Sequence, residues 1–259
     1  MDKVVWKSPN DEAMVTDYTC PACNKGLLKL FKEDLVLREY VRSKANHKHE
    51  DMQSDWVESS CSGVLQCNHD YCLEYVSFCG EARGDDIEYI SDEVPGGWGL
   101  EYIDKIEIKY IYPSPNLIPL SAKYPESIIQ LLKDSFCLYW SSPASCANKM
   151  RIIVEEVLND QKVPLRHKVT KGNGTIKFCK SNTHQRILRL GKKKGFSESA
   201  EYLLAIKEIG NSASHASEFN DKAIIPAYKL LDKALNMIYI GYDKELEMLK
   251  DLAKSKKLA

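Results

Sequence analysis

No uninterrupted apolar run in the 259 residues approaches the roughly 18 that a membrane-spanning helix needs. The opening Met1-Asp2-Lys3-Val4-Val5-Trp6-Lys7 lacks the extended apolar core of a secretory signal. Glycine and proline together number 23, too few for a collagenous or low-complexity chain. The nine cysteines do not make an even set, which argues against a secreted disulfide framework. These absences set the expectation of a protein of the reducing cytoplasm with no membrane partner. With 44% hydrophobic and 28% charged residues, the chain has the material for a packed core.

Acidic residues are missing over one long stretch. From Gln161 to Ser197 there is no Asp or Glu, while Lys162, Arg166, Lys168, Lys171, Lys177, Lys180, Arg186, Arg189, Lys192, Lys193 and Lys194 put eleven positive charges into 37 residues. Between Glu81 and Lys109 the balance is reversed, with nine acids including Asp85, Asp86, Glu88, Asp92 and Glu93. The formal net charge of -1 is therefore a cancellation. A basic tract free of acids attracts phosphate, and an acidic protein surface is the competing partner. Aromatics in the tract are sparse, Phe178 and Phe196 only, which works against base stacking.

The pattern changes near residue 115. Before it come short alternating segments, such as Gly63-Val64-Leu65-Gln66-Cys67, Leu73 to Phe78, and Ile106-Glu107-Ile108-Lys109-Tyr110-Ile111-Tyr112, as half-buried strands require. The polar residues 43–60 read as an exposed loop. Pro113, Pro115 and Pro119 read as a linker, since closely spaced prolines favour extended backbone. After it the period is helical. Ile128, Ile129, Leu132, Phe136 and Tyr139 form one stripe; Ser142-Pro143 opens the next helix; others are expected around 182–190, 197–209 and 221–255, with Gly210 ending the one at 197–209. The expected class is α+β: a β-rich module over residues 1–115 and a helical bundle over 116–259.

Cys20-Pro21-Ala22-Cys23 can aim two thiolates at one tetrahedral ion, and Cys67 and Cys72, between strand-like flanks, supply the two further ligands that a closed structural site needs. The expected metal is zinc, in a ribbon-like module. His69 and Cys61 are weaker substitutes in the ligand set. Cys79, Cys137, Cys146 and Cys179 read as packing residues.

The cysteine pairs, the proline joint, Lys149-Met150-Arg151-Ile152-Ile153-Val154-Glu155 and the segment Lys207-Glu208-Ile209-Gly210-Asn211-Ser212-Ala213-Ser214-His215 together resemble the "domain of unknown function 4145" proteins. Those proteins are similar to HEPN-type helical bundles, many of which are metal-independent ribonucleases of defence systems and pair as homodimers. In their motif an arginine is followed by a polar residue, usually Asn, Asp or His, then by three further residues and a histidine. Asn211 and His215 match; Gly210 stands at the arginine position, with Arg151 or Lys207 available to supply the charge. The resemblance implies a HEPN-like bundle, a homodimer, and a candidate site of His215, Asn211 and Arg151. The leading expectation is a regulatory or defence-related protein that binds nucleic acid, RNA above all, through Lys168, Lys171, Lys177, Lys180, Arg186, Arg189, Lys192, Lys193 and Lys194. The alternatives are a metal-independent endoribonuclease and a zinc-dependent adaptor that binds a protein partner.

Overall fold

The computed structural model describes residues 3–7, 12–90, 96–170, 172, 174–213 and 220–241. It is a mixed α+β chain that divides into two compact units, Met1–Asn116 and Leu117–Ala259.

The first unit is a six-stranded antiparallel sheet. Its strands are β1 (Val4–Lys7), β2 (Ala13–Thr19), β3 (Leu27–Glu39), β4 (Glu58–Cys67), β5 (Tyr75–Ile90) and β6 (Trp98–Tyr112), in the order β1-β6-β5-β4-β3-β2. Strands two to six form a meander, and β1 returns to the far edge against β6. Alternation decides the faces. Val76 and Phe78 of β5 are buried with Leu28, Leu30, Leu65, Ile106, Ile108 and Ile111, whereas Tyr75, Cys79, Tyr110 and Tyr112 face solvent. The alternation slips by one on β6, where the register shifts between Cys79 and Gly80. Gly80 is required there: a Cβ on it would run into the Glu107 carbonyl oxygen.

Residues 43–60 are not the open loop that their polarity predicts. They hold helix α1 (Val41–Asn46), a 3-10 turn over Ser54–Trp56 and the start of β4. Ser43 organises them. Buried at the base of α1, its hydroxyl meets Glu39 Oε1 at 2.6 Å and accepts from the Glu58 N–H at 3.1 Å.

The second unit is helical, with one small sheet. Helices α2 (Glu126–Ser141) and α3 (Pro143–Asp160) are joined through Ser142, with Pro143 in the first turn of α3, where its missing N–H has no intrahelical partner to lose. A hairpin of β7 (Arg166–Thr170) and β8 (Ile176–Lys180) follows, then α4 (Thr183–Gly191), α5 (Ser197–Ser212) and α6 (Ile224–Leu235), with a π-helical turn over Asn236–Gly241. Asn182 and Gln185 close a reciprocal capping box at the start of α4. The core takes Leu132, Phe136 and Trp140 from α2, Met150, Val154 and Val157 from α3, Leu203 and Ile206 from α5, and Tyr228 and Leu231 from α6. One polar chain crosses it: Tyr228 Oη donates to Ser135 Oγ (2.7 Å) and lies 3.2 Å from Cys146 Sγ.

Gly210 does not end α5. It lies inside the helix and is buried, because α5 crosses α3 there. Among the described residues, no helix is long and apolar enough to cross a membrane.

Candidate metal centre and basic ribbon

Cys20 and Cys23 sit in the β2–β3 connection; Cys67 ends β4 and Cys72 lies in the β4–β5 connection. The sheet order brings both connections to one end, and the four sulfurs lie within 4.8 Å of one another. Cys20 Sγ is 3.8 Å from Cys72 Sγ, and Cys23 Sγ is 3.7 Å from Cys67 Sγ. Four thiolates around a tetrahedral ion at bonds of about 2.3 Å stand about 3.8 Å apart, so the set is arranged for such an ion. Of the substitutes, Cys61 is buried on β4 outside the group, and His69 is not a member of it; the fourth sulfur of the group is that of Cys72.

The backbone builds the site. The Asn24 N–H donates to the Cys20 carbonyl at 2.9 Å, and Asn24 adopts a φ of 55° to make the turn. The Gly26 N–H points at Cys23 Sγ (3.4 Å) and the His69 N–H at Cys67 Sγ (3.4 Å). Backbone N–H groups of Gly26 and Lys25 draw the Cys23 thiol down to about 6, while burial pushes Cys67 up to about 12 and raises Cys20 as well. Gly26 is a member of the site that the cysteine spacing does not point to. A Cβ there would collide with Cys67 Sγ and stand 2.8 Å from His69 Cβ.

The acid-free tract is split between two roles. The second unit carries 24 Lys and Arg against 15 Asp and Glu, a formal net of +9; the first carries 12 against 22, net -10. Lys168, Lys177 and Lys180 are exposed on the β7–β8 hairpin, with Arg166 beside them, and Lys192, Lys193 and Lys194 are exposed between α4 and α5. Among the described residues, none of these seven has an acidic partner within ion-pair distance. Lys193 Nζ instead donates to the Gln161 carbonyl (2.8 Å).

Arg186 differs from them: it is not on the surface to meet a ligand. It is 4% exposed and donates to Asn159 Oδ1 (2.9 Å) and the Val163 carbonyl (3.0 Å), pinning the chain after α3 to α4. Burial works against its charge, with Glu155 offsetting part of that. Arg189 is half-buried; it donates to the Pro164 carbonyl (3.1 Å) and Ser181 Oγ (2.8 Å), so it fastens the base of the hairpin. Lys171 lies outside the described residues.

Of the three residues taken from the HEPN-like motif, His215 also lies outside the described residues. Asn211 is in the last turn of α5, its amide 3.3 Å from Glu208 Oε2. Arg151 is on α3 against Gly210, its Nε buried with no hydrogen-bond partner among the described residues. It makes no ion pair with Glu155, which accepts from Thr183 Oγ1 instead (3.0 Å). Cys146 is buried as a packing residue should be; Cys79 and Cys137 are exposed, because they fall on the solvent side of β5 and α2, and Cys179 is half-buried on the hairpin.

No curated protein and no solved structure matches the chain. The two halves match two separate family models: residues 8–111 fit the one described as Domain of unknown function (DUF8608), and residues 134–257 fit the one described as Domain of unknown function (DUF4145).

Proposed function

We propose that the protein binds nucleic acid, RNA in the first place, in a regulatory or defence-related setting, with a zinc-ribbon-like sheet unit joined to a HEPN-like, dimer-forming helical unit. The observation that carries this reading is the set of seven exposed cations at 166–194, none with an acidic partner among the described residues. Cations that are neutralised by nothing nearby bind a phosphate backbone by releasing its counterions. The metal is zinc and its role structural: four thiolates leave no open coordination position for chemistry. The ion would join two connections of a sheet that they alone close at that end.

The test is fluorescence anisotropy of the full chain with labelled RNA at several salt concentrations. Binding is expected to weaken linearly on a log–log plot, by about 0.7 per neutralised phosphate on a single strand. No binding at 50 mM salt, or binding indifferent to salt, overturns the reading.

The second reading, a metal-independent endoribonuclease, rests on Arg151. A guanidinium beside Gly210, its buried Nε without a partner among the described residues, can supply the phosphate-stabilising charge that Gly210 lacks, with His215 handling protons and Asn211 orienting. It requires RNA cleavage that survives chelator and is lost in both Arg151→Gln and His215→Ala.

A further inference from the structure

We propose that the outward face of the β7–β8 ribbon is a platform for single-stranded nucleic acid, on which Phe178 stacks against a base while Arg166, Lys168 and Lys180 neutralise the flanking phosphates. This rests on the nucleic-acid reading and goes beyond it by naming the stacking residue and the strandedness of the ligand.

The register defines the platform. Arg166 is opposite Lys180, Lys168 opposite Phe178, and Thr170 opposite Ile176. Residues directly opposite, and those two apart on one strand, share a face, so these six lie together. His167, Cys179, Val169 and Lys177 make the reverse face. It holds the two half-buried residues of the ribbon, His167 and Cys179, and His167 Nδ1 is 3.0 Å from Ser181 Oγ. The first face is open: Phe178 and Ile176 are each 57% exposed.

Two features of that face are unfavourable without a ligand. A two-stranded ribbon alone is marginally stable in water, and like charges directly opposite each other destabilise it further. Arg166 and Lys180 are such a pair. An exposed phenylalanine also leaves apolar area in water that stacking would remove. One ligand answers both. The Lys168 ammonium lies over the Phe178 ring, 5.9 Å from its centroid, so a base stacking there displaces it from the ring and brings its own phosphate within reach of the freed ammonium and of the Arg166–Lys180 pair. Bases within a duplex are stacked on one another and do not offer their faces to a side chain, which selects single strands. The sparseness of aromatics in the tract argued against stacking; the ribbon sets one of the two on an open face among three cations.

The test measures binding of the full chain to a labelled single-stranded RNA and to the same strand annealed to its complement. The variants are Phe178→Leu, Phe178→Tyr and Lys168→Gln/Lys180→Gln. Single-strand binding is expected to exceed duplex binding. Phe178→Leu should weaken it by about 5- to 100-fold with an unchanged salt slope, and Phe178→Tyr should restore it. The double lysine variant should lower the slope by about 1.4. Equal binding by Phe178→Leu and wild type, or a preference for duplex, overturns this inference while the nucleic-acid reading stands. Absence of binding to either probe by wild type overturns both. Unchanged melting temperatures of the variants exclude misfolding as the cause, as the exposure of all three side chains leads us to expect.

Discussion

Gly210 of α5 lies against Ala147 of α3 with no room for a side chain between them: a Cβ on Gly210 would stand 2.9 Å from the Ala147 carbonyl oxygen and 3.0 Å from Arg151 Cβ. Alanine is favoured over glycine inside a helix by about 1 kcal/mol. Here the clash is with backbone, which cannot swing aside. Gly210→Ala is therefore expected to destabilise the protein by about 1–3 kcal/mol, read as a lower melting temperature. Gly210→Arg, which would place at this position the arginine found in HEPN-type motifs, should disrupt the α3–α5 crossing rather than create a nuclease. A melting temperature at or above wild type for Gly210→Ala would show that the crossing has slack.

The cysteine cluster predicts about one equivalent of zinc per chain by elemental analysis. Cys67→Ser and Cys72→Ser should each lose most of it, and strong chelator should lower the melting temperature of the wild type but not of these variants. Gly26→Ala should behave like a ligand mutation, since its Cβ occupies the space of Cys67 Sγ. Retention of full zinc by Cys72→Ser would remove Cys72 from the ligand set.

The two kinds of cation in the acid-free tract should separate in experiment. Arg186→Gln leaves the Val163 carbonyl and Asn159 without their partner and should cost about 2–4 kcal/mol of stability. Lys168→Gln and Lys177→Gln should leave stability within about 0.5 kcal/mol and weaken RNA binding instead. Denaturant melts beside salt titrations of binding make the comparison, and equal stability losses for Arg186→Gln and Lys168→Gln would contradict the division.

Tyr228→Phe keeps the ring that packs against Phe136, with centroids 5.4 Å apart, and deletes the hydroxyl that links Cys146 to Ser135. The expected loss is about 1–2 kcal/mol, with the fold retained. Burial holds the Tyr228 phenol well above its ordinary pKa, so the effect should be the same at pH 6 and pH 9. A loss that grows with pH over that range would mean that the hydroxyl ionises in the core.

How much of this was legible in the sequence depends on how local each cause is. The helical stripes of α2 and α3 and the alternation of β6 follow from neighbours a few residues apart, and so does the Cys20–Cys23 turn. The choice of Cys72 over His69 needs only the geometry of one connection. The hairpin was not legible, since eight of its ten strand residues are exposed and it buries no apolar face of its own, and its lysines read as a bare charge run. Gly210 read as a helix end because glycine there is the commonest stop signal, whereas its reason is Ala147, 63 positions earlier in the chain. Arg186 read as one more surface cation because its partners, Asn159 and Val163, lie beyond the intervening hairpin.

The pairing of Cys23 with Cys67 closes a loop of 44 residues. An ion held there is a cross-link in the polymer sense, and closing a loop of that length would restrict the unfolded chain by about 4 kcal/mol if the link persisted in it. Unlike a disulfide, the link opens by competition for metal rather than by transfer of electrons. The mechanical integrity of that end of the sheet would then track the free concentration of the ion around it.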